Sequence, residues 1–292
     1  MLPVILVTGK NGQLGKELQQ LAGSFPQFNF IFTDRTQLDI SDFAQVNYFF
    51  LNNKVAFCIN AAAYTAVDKA ETQQEEASLI NAAAVENLAL VCTKHHAQLI
   101  HISTDYVYDG TAISPYTEDH PTSPVNYYGF TKLEGELLAL KHSPSSVIIR
   151  TSWVYSQFGN NFVKTMLRLT SEKESIGVVN DQVGSPTYAA DLAAAIMHII
   201  TVVQAAGKKY GGIYHFSNDG IISWYEFAIE IRDLAGNTCV INPIPSSDFP
   251  TPAKRPGYSA MNKDKIVSTF NIQLRDWKDS LKECIQLLKP TL

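Results

Sequence analysis

With 292 residues, 46% hydrophobic and 17% charged, the chain has the make-up of an ordinary globular protein, long enough for one large α/β domain or two modest ones. A net charge of −5 gives no polybasic surface, which argues against nucleic acid or an anionic membrane as the main partner, and no apolar run reaches the roughly 20 residues needed to cross a bilayer. The opening "MLPVILVTG" lacks a signal peptide's basic flank and apolar length, and Cys58, Cys92, Cys239 and Cys284 stand far apart with no Cys-x-x-Cys pair or histidine at ligand spacing, so the expectation is a cytoplasmic protein with reduced, packing cysteines and no metal.

The run "VILVTG" (4–9) is apolar, β-branched and closed by glycine, as in a strand buried on both faces. It leads into "TGKNGQLG", with glycines at 9, 12 and 15, and the helical spacing of "QLGKELQQLAG" (13–23). Glycine suits such a turn for three reasons: a tight bend, close approach of backbone to a diphosphate, and close packing of helix on strand. The helix N-terminus adds free N–H groups and partial positive charge, so Gly12 and the N–H groups of Gln13 and Leu14 are expected to carry the diphosphate. The spacing is G-x-x-G-x-x-G, not the commoner G-x-G-x-x-G. A second strand, "FNFIFTD" (28–34), ends at Asp34, where an acid bonds the adenosine ribose 2′-hydroxyl of NAD; Arg35 beside it suits the 2′-phosphate of NADP. The pair points both ways, leaving NADH and NADPH open. "LDIS" (38–41) reads as a helix N-cap stretch and gives Asp39 a capping or turn role.

A third strand is expected in "VAFCINAAAY" (55–64), a long amphipathic helix over 75–96, and a fourth strand over 97–108. At the carboxyl end of that strand, where doubly wound sheets gather ligands, "STDYVYDG" (103–110) offers Thr104 to hydrogen-bond a reacting carbonyl oxygen and Asp105 to orient a sugar hydroxyl. His95, His96 and His101 make no ligand set and read as structural. The next helix, about 126–140, contains "NYYGFTK". Residues four apart share a helix face and residues five apart do not, so Tyr128 pairs with Lys132 and Tyr127 does not. A strand over 146–152 completes an alternation that implies a parallel, doubly wound sheet. Beyond residue 152 the pattern loosens. Helices are expected in "NNFVKTMLRLTSE" and "YAADLAAAIMHIITVVQAAG", strands in "GGIYHFSND" and "TCVINPIP", and an ordered loop over 243–262. The expected division is a Rossmann-type nucleotide-binding domain over 1–152 and a smaller α/β substrate-binding lobe over 153–292, with segments exchanged between them.

Taken together, "TGKNGQLG", "NAAAYTAVDKAE", "STDYVYDG", "YYGFTKLEGE", "RTSWVY", "GNNFVKTMLRL" and "NDQVGSPT" resemble the extended short-chain dehydrogenase/reductases and, among them, the dTDP-4-dehydrorhamnose reductase family. The likeness runs to about residue 192, with a later echo in "PTPAKRPGYSAMN". It implies NADPH- or NADH-dependent reduction of the C4 keto group of dTDP-4-dehydro-6-deoxy-L-mannose to dTDP-L-rhamnose. Tyr128 would be the proton donor, Lys132 would lower the tyrosine's pKa and hold the nicotinamide ribose, and Thr104 would polarise the carbonyl. The cofactor set it implies is Gly9, Asn11, Gly12, Gln13, Leu14, Asp34, Arg35, Asp39, Ile40, Ala61, Ala62, Ala63, Tyr64, Thr65, Tyr128 and Lys132. The substrate set is Val67, Asp68, Thr104, Asp105, Val107, Trp153 and Arg255, with Lys164 and Arg168 as further candidates for the diphosphate. Some relatives dimerise through a metal held by carboxylates; Glu17 matches one such position, but Ala190 and the terminal "KPTL" supply no partners, so a monomer or weak homodimer is expected. Alternatives are another nucleotide-sugar 4-reductase or epimerase, or a non-catalytic subunit like the regulatory partner of methionine adenosyltransferase.

Overall fold

The computed structural model, which describes residues 2–288, builds one sheet from β1 (Val4–Thr8), β2 (Asn29–Thr33), β3 (Val55–Asn60), β4 (Gln98–Thr104), β5 (Val147–Thr151) and β6 (Gly212–His215). Their order is β6-β5-β4-β3-β1-β2, and every neighbouring pair is parallel. The longer helices are α1 (Gln13–Leu21), α2 (Phe43–Asn53), α3 (Ala84–Lys94), α4 (Tyr127–His142), α5 (Phe162–Glu172), α6 (Ala189–Ala206), α7 (Trp224–Ala235) and α8 (Trp277–Leu288). Ile5, Leu6 and Val7 in β1 and Val147, Ile148 and Ile149 in β5 are completely buried because helices cover both faces. One face packs Leu18 of α1 with Leu192 and Ile196 of α6; the other packs Phe50 of α2, Leu88 of α3 and Ala139 of α4.

The sheet draws on both halves of the chain. β6 closes it beside β5, and α6 covers it. By length and composition alone α6, with mean hydropathy 1.6 over 18 residues, would cross a membrane, but half of it is buried and its Leu192, Ile196 and Ile200 belong to the sheet core. Helices α5, α7 and α8 form a second core with the parallel strands Ser175–Val179 and Val240–Ile244, centred on Phe227, Ile231 and Leu281.

Three boundaries differ from the sequence reading. The strand expected over 55–64 stops at Asn60, and the next residues run as an extended loop at the mouth of the sheet. The strand expected over 97–108 stops at Thr104 and turns into a 3₁₀ segment, Asp105–Val107. The single helix expected over 75–96 is divided: a π segment, Leu79–Ala83, separates Gln74–Ser78 from α3. Asn81 in that segment accepts from Tyr64 N–H and donates to Tyr64 C=O, 2.9 and 3.0 Å, so the bulge ties the helix to the loop after β3. The N-cap in the "LDIS" region is Asp42, which accepts from Gln45 N–H, while Asp39 makes a turn by accepting from Ser41 N–H and Oγ.

Candidate active site

The strand order reverses between β1 and β3, and ligands of doubly wound sheets bind at such a switch point. Gly9 follows β1 there with φ +71°, a left-handed conformation, and a Cβ on it would stand 2.7 Å from the Ala61 and Ala62 backbone. The bend therefore requires glycine. Gly12 caps α1, and Gln13 and Leu14 contribute the first N–H groups, which helix geometry leaves without intrahelical partners. A groove of about 280 Å³ extends from this turn past Asn11, Asp34, Arg35, Asp39, Ile40 and Ala61 to Ala63. Its shape and donors fit a dinucleotide. Asp34 is engaged by Thr36 and, at 3.0 Å, by Lys10; those hydrogen bonds hold its carboxyl well below the usual range. Arg35 reaches Asp39 at 3.4 Å and lies on the exposed rim. Lys10 thus adds a second cation at the place where the cofactors differ. The sequence reading missed it, though it stands inside the glycine turn.

A second cleft, about 560 Å³, continues from Gly12, Gln13 and Leu14 past Ala61, Ala62, Ala63, Thr65 and Val67 to Thr104, Asp105, Tyr128, Lys132 and Trp153. The three residues expected to do chemistry therefore meet in one cleft. Asn126 positions the helix that carries two of them: its side chain accepts from Gly129 N–H at 2.8 Å and donates to Lys254 C=O at 2.8 Å. Tyr128 packs edge-on against Tyr106, ring centroids 5.7 Å apart. Burial pushes its phenol above the ordinary value, hydrogen bonding with Thr104 pulls it down, and Asp105 pushes it further up. The hydrogen bonds of Lys132 run to other partners. Its Nζ donates instead to Ile102 C=O at 2.7 Å and meets His101 Nε2 at 3.3 Å. Burial brings Lys132 down to about 8, against the opposing pull of Glu136. Thr104 Oγ donates to Asp105 at 3.0 Å. Burial lifts that carboxyl to about 6, while the Ser259 and Thr104 hydroxyls pull it back.

Other expected residues take different places. Val107 is completely buried with Tyr108 and Tyr116 and does not line the cleft. Tyr64 turns its hydroxyl to Gln73, 2.5 Å away, and only its backbone is tied near the site. Tyr127 bonds Ser78 at 2.9 Å and packs beside Phe130, in keeping with a packing role. Asp68 and Arg255 lie in an adjoining groove of about 390 Å³, joined to the cleft by Tyr106, where they form an ion pair of 2.9 Å. Trp153 lines the cleft with φ +48° and stacks on Trp224 at 3.6 Å. Trp224 in the groove carried no sequence signal, and Phe162 stood in "GNNFVKTMLRL" without a role, because only packing of distant helices brings them together. Arg168 pairs with Glu172 on the exposed side of α5, and Lys164 lines neither cavity. Glu17 is buried and accepts from Ser156 at 2.5 Å; burial raises its pKa. The terminal residues 289–292 lie outside the described residues.

This arrangement agrees with what the chain is similar to. It is 41% identical over 284 residues to a dTDP-4-dehydrorhamnose reductase of Aggregatibacter actinomycetemcomitans, covering 95% of this chain and 97% of the relative. The crystal structure of a dTDP-4-dehydrorhamnose reductase from Clostridium acetobutylicum superposes with a TM-score of 0.92 at 44% identity, covering 98% of this chain and 99% of that one. The Bacillus anthracis dTDP-4-dehydrorhamnose reductase in complex with NADP gives a TM-score of 0.91 at 37% identity, with the same coverage. Residues 3–289 match the family described as the RmlD substrate binding domain, and the chain belongs to that family.

Proposed function

We propose that the protein is an NAD(P)H-dependent reductase of a dTDP-linked 4-keto sugar, converting dTDP-4-dehydro-6-deoxy-L-mannose to dTDP-L-rhamnose. The observation that carries this reading is the meeting of Thr104, Tyr128 and Lys132 in a cleft continuous with the glycine turn at the switch point. A reduced nicotinamide bound there supplies the hydride to C4. Tyr128 gives its phenolic proton to the C4 oxygen as charge develops, and burial suits it to that task because the phenol stays protonated through the neutral range. Thr104, its hydroxyl turned from Asp105, donates a hydrogen bond to the same oxygen. Lys132, charged below about pH 8, stabilises the phenolate left behind until solvent returns the proton. Asp105 orients a neighbouring hydroxyl of the sugar. The groove with Tyr106, Phe162, Trp224 and Arg255 suits the nucleotide end, offering flat apolar surface for a base and a guanidinium for phosphate.

The net charge of −5 supports a small-molecule partner rather than nucleic acid, and the alternation of buried strands and covering helices accounts for the apolar surface without a membrane. For the adenosine end, Lys10 and Arg35 favour a 2′-phosphate while Asp34 favours a free ribose, which supports use of both NADPH and NADH. The test is to follow NADH and NADPH oxidation with the 4-keto sugar nucleotide and identify the product. Conversion to dTDP-L-rhamnose is expected; folded protein that oxidises neither cofactor would overturn the reading.

A further inference from the structure

Lys132 stands at the end of a buried polar row whose other members take no part in the reduction. Thr8 at the end of β1, Asn60 at the end of β3, His101 in β4 and Lys132 in α4 are each no more than 2% exposed. The Thr8 hydroxyl lies 2.7 Å from Asn60 Oδ1, Asn60 Nδ2 lies 3.0 Å from His101 Nδ1, and His101 Nε2 lies 3.3 Å from Lys132 Nζ. Counting protons fixes how the row is wired. An ammonium has three N–H bonds and no lone pair, so His101 accepts at Nε2 and carries its proton on Nδ1. Nδ1–H then needs an acceptor, which requires the Asn60 amide turned over from that placement, its oxygen toward Nδ1 and its NH₂ donating to Thr8 Oγ; the two orientations have the same shape, and the ammonium decides between them. An imidazole among the isoleucines of β4 is costly to bury unless both nitrogens are bonded, and this wiring bonds both.

We propose that His101, held in its Nδ1–H tautomer by Asn60, is the positioning residue for Lys132. This rests on the reduction proposed above. His101 takes one ammonium proton from behind, Ile102 C=O takes a second, and the third remains for Tyr128 and the cofactor ribose. The titratable and charged groups around Lys132 are His101 from β4, Tyr128 on its own helix, and Glu136 one turn further on, itself paired with Arg150 of β5 at 2.6 Å. Among these His101 touches the ammonium, and burial together with the adjacent charge keeps the imidazole neutral.

Nitrogen-15 NMR of the wild-type protein reads the wiring directly. A neutral ring with its proton on Nδ1 from pH 5 to 8 is expected, whereas an Nε2–H tautomer or a ring that titrates in that range overturns the proposal. Two variants then read the consequence. His101→Leu removes the acceptor from a charged donor, which corresponds to a fall in kcat of about 10- to 100-fold and a shift of the alkaline limb of the pH profile downward by about one pH unit, with KM for the sugar nucleotide little changed. His101→Gln places an amide oxygen near the position of Nε2 and should restore most of kcat and the limb. A limb unmoved in His101→Leu, or a Gln variant as impaired as Leu, overturns the positioning role. Because the tautomer is read without substrate, a wild type that fails to turn over would overturn the proposed reaction while the spectrum still decides the role of His101.

Discussion

Two adjacent tyrosines in "NYYGFTK" have opposite environments. Tyr128 faces the cleft beside Thr104, and Tyr127 bonds Ser78 away from it. Tyr128→Phe should retain cofactor binding and lose about 10²- to 10⁴-fold in kcat, while Tyr127→Phe should stay within about twofold of wild type; steady-state kinetics with cofactor titration decides, and equal losses in both would contradict the assignment. Asp105 yields a prediction in pH. Its carboxyl is raised to about 6, so the native state binds that proton more tightly than the unfolded chain does. The wild type is then favoured below the ordinary carboxyl value and loses stability as pH rises through about 6. Asp105→Asn, neutral throughout, should melt above wild type at pH 7.5, with the gap closing toward pH 4. A gap that widens on acidification would reverse the sign. The pairing of Tyr128 with Lys132 was legible in sequence because helix periodicity sets it. The contact of Lys132 with His101 was not, since residues 31 apart meet only when α4 is laid on β4.

Helix α4 owes its place to small residues as much as to its cap. A Cβ on Gly135 would stand 2.0 Å from Asn81 C=O in the π segment, and one on Gly129 2.2 Å from Tyr106 C=O. The helix is thus drawn against both the bulge and the turn after β4, which sets the depth of Tyr128 and Lys132. Gly135→Ala should destabilise by about 1–3 kcal/mol, because backbone on both sides leaves little room to relax; urea unfolding measures it, and a neutral result would show that the π segment yields. The π segment escaped the sequence reading for a physical reason. Its residues keep helical spacing of apolar positions, and the register change arises from Asn81 bonding across to Tyr64.

At the scale of the molecule, the stretch 251–257 is strapped across to the nucleotide-binding side by three contacts: Asp68 receives Ala253 N–H at 3.1 Å and pairs with Arg255, and Asn126 donates to Lys254 C=O. The strap forms one wall of the groove assigned to the nucleotide end. Asp68→Ala should raise KM for the sugar nucleotide several-fold with little change in kcat, because it loosens that wall without touching Tyr128. The stability cost should be small, about 0.5 kcal/mol, since the ion pair is part exposed. A fall in kcat with unchanged KM would place Asp68 in the chemistry instead. Trp153 and Trp224 show the same dependence on assembly, being stacked at 3.6 Å although 71 residues separate them.

From the sequence alone follow the parallel sheet, the glycine turn, and the placing of Tyr128 and Lys132 on one helix face, because strand and helix periods and turn chemistry are local rules that each segment obeys by itself. Only the tertiary structure decided that β6 and α6 from the second half complete the first sheet, that Lys10 attends Asp34, that Val107 turns into the core, and that Asp68 holds Arg255. It also decided that Lys132 Nζ meets His101 Nε2. Such outcomes depend on which buried polar groups find partners when distant segments pack, and spacing along one chain does not encode that.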